Sequence, residues 1–125
     1  MHILKKSVVV YKAARSGHKR VIVTLLLPNG IKINHAIGSY KKNRADRAIV
    51  LDIREKIDYS EIRKKKSYVT GPQLKAARSI SEYNPKVTYR IHKEVTPRLP
   101  FETSSEECAS GIHFFRSIRN AYNWQ

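Results

Sequence analysis

A chain of 125 residues with 25 Lys+Arg against 10 Asp+Glu, net charge +15, can bury one core by itself and reads as a single basic domain, 1–125. No apolar run approaches the roughly 18 residues of a transmembrane helix, and charges interrupt the apolar start Met1-His2-Ile3-Leu4-Lys5-Lys6-Ser7-Val8, which is wrong for a secretory signal. One cysteine excludes an intrachain disulfide, so the fold does not depend on an oxidising compartment.

In chain order, Ser7-Val8-Val9-Val10-Tyr11 is short and β-branched and predicts a strand. Lys12 to Arg20 predicts a basic connection bent at Ser16-Gly17. The apolar run Arg20 to Leu27, stopped by Pro28-Asn29-Gly30, predicts a central strand followed by a turn, since Pro presets φ and Asn-Gly accepts φ > 0. Ile31, Ile33 and His35 alternate with Lys32 and Asn34 and predict its hairpin partner. Gly38 to Arg44 predicts a basic loop, and Ala48 to Ile53 a further strand. Ile57, Glu61, Ile62 and Lys65 predict one or two helical turns ending in Arg63-Lys64-Lys65-Lys66. Thr70-Gly71-Pro72 reads as the start of a short middle helix carrying Leu74, Ala77 and Arg78, with Pro72 at its first position. Val87, Tyr89 and Ile91 alternate with Thr88, Arg90 and His92, the clearest period-2 segment.

The chain then reaches Cys108-Ala109-Ser110-Gly111-Ile112-His113-Phe114-Phe115, with the only cysteine and two of the three phenylalanines. It reads as a tight bend at Gly111 that dives into a packed core. Phe114, Phe115, Ile118, Ala121 and Tyr122 follow at helical spacing and predict a C-terminal helix lying on a sheet. This Cys-x-x-Gly-Ile-His-Phe-Phe run resembles the C-terminal signature of a small domain in proteins of phages and large DNA viruses, attached in several of them to pentapeptide repeats. The blocks Tyr40 to Ile53 and Tyr89 to Pro97 resemble the same family, so the likeness runs from Val8 to Trp124. Asn43 stands where that family often has Cys, and His92 where it often has Gly. The resemblance implies a viral setting and no reaction.

The residues offer little catalysis. Cys108 and His113 suggest a thiolate–imidazole pair, set against a small buried cysteine and a core histidine. Asp52, Glu55, Asp58 and Glu61 are spaced for a solvated, salt-bridged helix face. The five histidines are scattered, so no metal is expected, and the isolated glycines make no phosphate loop, so no cofactor is expected. Positive charge is the larger signal. Residues 1–50 carry 11 bases and one acid, residues 51–100 carry 12 and six, and residues 101–125 carry two and three. Lys5, Lys6, Lys12, Arg15, Lys19 and Arg20 have no acid among them; Lys41, Lys42, Arg44 and Arg47 have only Asp46; Arg63, Lys64, Lys65 and Lys66 form a run. Such a field attracts polyanions. Tyr11, Tyr40, Tyr59 and Tyr68 lie near these bases and offer stacking on single strands.

The expected fold is α+β: a mainly antiparallel sheet of about five strands, a C-terminal helix and a short middle helix. The expected function is that of a non-enzymatic basic viral protein that contacts nucleic-acid phosphates without reading sequence, DNA favoured over RNA. It would serve as a virion or DNA-packaging component, in the particle or inside the host cell. The alternative is a protein-interaction module, a homodimer docking an acidic host or virion protein. A third reading is an enzyme using Cys108 and His113.

Overall fold

In the computed structural model the described residues are 2–34, 43–57, 62–64, 71–79, 87–97 and 111–123. Their strands are β1 (His2–Ile3), β2 (Val8–Ser16), β3 (Lys19–Leu27), β4 (Lys32–Asn34), β5 (Asn43–Ala45), β6 (Ala48–Glu55), β7 (Ala76–Ser79), β8 (Thr88–Arg90), β9 (Glu94–Val95) and β10 (Ile112–Phe114), followed by helix α1 (Ile118–Asn123). They form a six-stranded sheet ordered β8-β7-β2-β3-β6-β9 and a four-stranded sheet ordered β1-β4-β5-β10. Every pairing is antiparallel. The fold is α+β, mainly antiparallel sheet with a C-terminal helix, as expected from the sequence. Among the described residues the strands number ten in two sheets rather than about five in one, because segments of two to four residues carry no readable periodicity.

The large sheet is built around β2 and β3, a nine-residue hairpin with full register from Val8↔Leu27 to Ser16↔Lys19. The supposed basic connection from Lys12 to Arg20 is therefore mostly strand, and only Gly17-His18 turns. Gly17 has φ 63° and His18 stays at negative φ, the pattern of a type II′ hairpin turn, whose first central position favours glycine. In β6 a bulge opposes Thr24 to Asp52 but Leu25 to Val50. Leu51 is the extra residue, so Val50 and Ile53, three apart, both reach the core. The edge strands β8 and β9 are joined by one tight turn, Arg90 to Lys93, closed by a Lys93 N–H to Arg90 carbonyl bond of 3.0 Å. A flat sheet of six strands would hold its edges about 24 Å apart, so this sheet is curled toward a barrel. His92 in that turn has φ 66°, the only positive φ among the described non-glycine residues. It is also the position where the resembling family often has glycine.

The inner surface of the curled sheet supplies Val10, Val23, Leu25, Leu27, Val50 and Ile53 to one core, and the small sheet supplies Ile33, Ala45, Ile112 and Phe114 to the same core. Phe115, one residue on, points the other way. It joins a second cluster on the outer face with Ile22, Ile62, Ala121 and Tyr122. Phe115 and Tyr11 exchange backbone hydrogen bonds of 2.9 and 2.7 Å, which tie the end of β10 to β2. Helix α1 starts two residues after Arg116, later than the spacing suggests, with Ser117 as its cap: the Asn120 N–H donates to Ser117 Oγ at 3.1 Å. Tyr122 donates its hydroxyl to the Ile57 carbonyl and so pins α1 to the outer face.

Two further expectations are corrected. Ile31 to Asn34 does not pair with β3. Backbone bonds of Leu4 with Ile31 and Gly30 carry the turn away, and β4 lies between β1 and β5 in the small sheet. The middle helix from Pro72 is extended chain. The Glu55 N–H donates to the Pro72 carbonyl and the Leu74 N–H to the Ile53 carbonyl, both at 2.9 Å, and β7 then pairs with β2 and β8. Pairing along two strands outweighed the weak helix-start signal of one proline. A helical turn is present at 62–64; Lys65 and Lys66 lie outside the described residues.

Candidate nucleic-acid interface

Register decides which cations meet. Residues directly opposite in antiparallel strands project from the same face. Arg15 is opposite Arg20 on one side and opposite Arg78 on the other, and Arg78 is opposite Thr88. Lys56 follows the Val21↔Glu55 pair and donates its N–H to the Arg20 carbonyl at 2.8 Å. The result is a row, Lys56–Arg20–Arg15–Arg78–Thr88, crossing from the end of β6 over β3, β2 and β7 to β8. At about 4.8 Å per strand it runs roughly 19 Å along the outer face. Arg90, two residues beyond Thr88, shares that face and is exposed.

Among the described residues the row's arginines have no counter-charge. The carboxylates among the described residues are Asp46, Asp52, Glu55 and Glu94. None of them forms an ion pair with Arg15, Arg20, Arg78 or Arg90. Glu55 pairs with Lys19 at 3.7 Å, and Asp52 with Arg54 at 2.9 Å. Asp52 and Glu55 thus lie on a strand, not on the helix face expected, and neutralise their strand neighbours. Burial raises the pKa of Asp52. Hydrogen bonds from Arg54 and Gln73, the charge of Arg54 and the Ile53 amide together outweigh it and hold the carboxyl below the ordinary carboxylate value. Arg54 shares the outer face and is cancelled in this way. Lys56 feels the opposite environment: burial, then the charge of Arg20, lowers its pKa. Its ammonium sits 4.4 Å from the centre of the Tyr122 ring, which keeps the cation at this end of the row.

The remaining nominated cations scatter. Lys12 and Arg44 are buried, at 6% and 1% exposure, and drop out of any exposed surface. Lys12 shares the inner face with Val10 and Val23. Lys5 and Lys6, with Arg116, line a cavity of about 460 Å³ floored by Val10, Leu27, Ile33 and Phe114 where the two sheets meet. Arg47 is exposed between β5 and β6. Arg63 and Lys64 are exposed beside Ile62, which packs in the outer-face cluster, so they stand in the layer that covers the same face as the row. Lys41, Lys42, Lys65 and Lys66 lie outside the described residues, as do Tyr40, Tyr59 and Tyr68. Tyr11 packs against the outer-face cluster rather than standing free to stack. Lys56, Arg78 and Arg90 belong to the row and were not nominated. Arg90 was detectable from its polar place in the alternating segment; Arg78 was hidden by the helix reading.

The signature forms a different constellation. β10 pairs with β5, so Ile112-His113-Phe114 lies against Ala45-Arg44-Asn43. Two stretches nearly seventy residues apart, both part of the resemblance, are thus neighbouring strands. Asn34, Arg44 and His113 stand opposite one another across β4, β5 and β10, and all three are buried. Each has an interaction partner, as buried polar groups require. Cys108 lies outside the described residues, so its relation to His113 does too. Among the described residues no three His, Cys, Asp or Glu side chains group as metal ligands, and no helix is long and apolar enough to cross a membrane.

Fold and surface together define a small, curled antiparallel α+β domain with a cationic face that no carboxylate among the described residues neutralises at Arg15, Arg20, Arg78 or Arg90. Residues 2–121 match the model of a family of unknown function, DUF5758, and the chain belongs to that family. No curated protein and no solved structure matches it.

Proposed function

We propose that this protein is a non-enzymatic nucleic-acid-binding domain that grips phosphates with Lys56, Arg20, Arg15, Arg78 and Arg90. The observation that carries the reading is the cross-strand row itself. Directly opposed like charges destabilise a sheet, and here Arg15 faces an arginine on both sides with no carboxylate among the described residues paired to it. A polyanion supplies the missing counter-charge. Among the described residues no helix or strand is framed to enter a groove and read base edges, so binding is sequence-independent and DNA is favoured over RNA only through the viral setting. That setting, a virion or packaging component in the particle or the host-cell interior, rests on the resemblance carried by the run Cys108 to Phe115 and the blocks at Tyr40 and Tyr89.

The test is equilibrium titration of two duplexes of unrelated sequence at low salt. The same affinity is expected for both, with a large loss in the triple variant R15Q/R20Q/R78Q. No binding by the native protein, or undiminished binding by the variant, overturns the proposal. A second reading has one observation in its favour. Val9, Leu26 and Ile49 form a cross-strand apolar row at the far end of the outer face, with Val9 42% exposed. A homodimer docked there, or an acidic protein on the arginines, would give concentration-dependent association without nucleic acid, which sedimentation detects.

A further inference from the structure

One end of the arginine row is a recess. It is an open depression of about 200 Å³ between the β2–β3 turn and strands β7 and β8. Its lining includes the small residues Ser16, Ala76, Ala77 and Gly17, the last with no atom within 4 Å of its Cβ position. Its rim is Arg15, Arg78 and Arg90, with Thr88 between the last two. Register accounts for the shape. Arg78 has Arg15 opposite on β2 and Thr88 opposite on β8, while Ala76, two residues earlier, has Arg90 opposite. Three arginine side chains therefore line a recess whose other lining residues, Ser16, Gly17, Ala76, Ala77 and Thr88, are all small.

We infer that this recess seats the terminal phosphomonoester of a nucleic-acid strand; the inference rests on the phosphate-binding reading above and specifies what this end of the row takes. Size points to a phosphate group rather than a nucleoside, since pockets for whole small molecules start at about 300 Å³. Charge points to an end rather than the middle of a strand. An internal phosphodiester carries one negative charge, whereas a phosphomonoester carries about −1.5 to −2 at neutral pH and so matches a three-arginine rim better. Arginine geometry fits as well, because guanidinium groups bind phosphate oxygens in bidentate pairs. Thr88 adds a hydroxyl donor.

The experiment compares one oligonucleotide carrying a 5′-phosphate, a 3′-phosphate or only hydroxyl ends, by fluorescence anisotropy at fixed salt. One phosphorylated end is expected to bind roughly tenfold tighter than hydroxyl, the equivalent of one charged hydrogen-bonded contact. Arg78→Gln and Arg90→Gln each remove a contact of the row, so both are expected to weaken hydroxyl-ended strands and to weaken phosphorylated strands further, until the two bind equally; the ratio of the two affinities is the readout, and Arg90→Lys is expected to restore only part of it. Both positions are exposed, and thermal melting verifies that the variants are folded. Equal affinity for phosphorylated and hydroxyl ends in the native protein overturns the inference and leaves the phosphate-row proposal standing. Absence of binding to any of the strands overturns the row proposal instead. A phosphoserine peptide that competes as well as the phosphorylated strand overturns the nucleic-acid end in favour of a phosphoprotein.

Discussion

Arg15→Gln should make the protein more stable and a weaker binder at once. Arg15 has an arginine directly opposite on both sides, Arg20 and Arg78. With opposed Cβ atoms about 5 Å apart, each contact costs roughly 0.5–0.8 kcal/mol in a water-like dielectric. Screening at physiological salt, with a Debye length of about 8 Å, brings the sum of the two to about 0.5–1 kcal/mol. Glutamine keeps most of the side chain's length and removes the charge. In a domain of this size the gain corresponds to a rise of roughly 2–4 °C in melting temperature. Calorimetry at low salt and at 1 M salt is the assay: the gain should be present in the first and nearly absent in the second, where charges are screened within about 3 Å. A loss of stability, or a gain of the same size at both salts, would mean that Arg15 serves packing and would refute the argument.

Other consequences follow from single observations. His92→Gly should stabilise by up to about 1 kcal/mol in denaturant titration: a left-handed φ costs a side-chain-bearing residue about 1–2 kcal/mol, partly offset by the freer unfolded glycine. Phe114→Ala should cost about 3–5 kcal/mol by the same measurement, since the ring is fully buried in the core shared by both sheets. Asp52→Asn should destabilise at neutral pH and lose its effect in acid. The folded pKa of Asp52 is depressed, so its contribution is complete above the unfolded value near 3.9 and disappears as pH falls through the folded one. A native–variant stability difference that survives at pH 2 would contradict this.

What could be read from the sequence was whatever depends on neighbours along the chain. The run Arg20 to Leu27 and the Pro28-Asn29-Gly30 stop lie where they were expected, and the alternation around Tyr89 is a strand from Thr88 to Arg90, cut short by the turn at Ile91 and His92. Lys12, Arg44 and the segment Ala76 to Ser79 were misread because tertiary pairing decided them. A lysine or arginine inside a strand looks like a loop residue until its partners are known, and Ala-Ala-Arg-Ser is too short to show a period. The interface was less legible still. Its members at 15, 20, 56, 78 and 90 come from five segments joined only by register, whereas Lys5 and Lys6, close to Arg15 in sequence, end in a cavity where the two sheets meet.

The measurement that bears most directly on the central claim is the salt dependence of duplex DNA binding, native against R15Q/R20Q/R78Q. Each neutralised phosphate contributes about −0.9 to the slope of log affinity against log salt. Four or five contacts along the row give a native slope of roughly −4, and removing three should bring it to about −1. A native slope near zero, or one that the triple substitution leaves unchanged, would contradict the assignment of this face to phosphates.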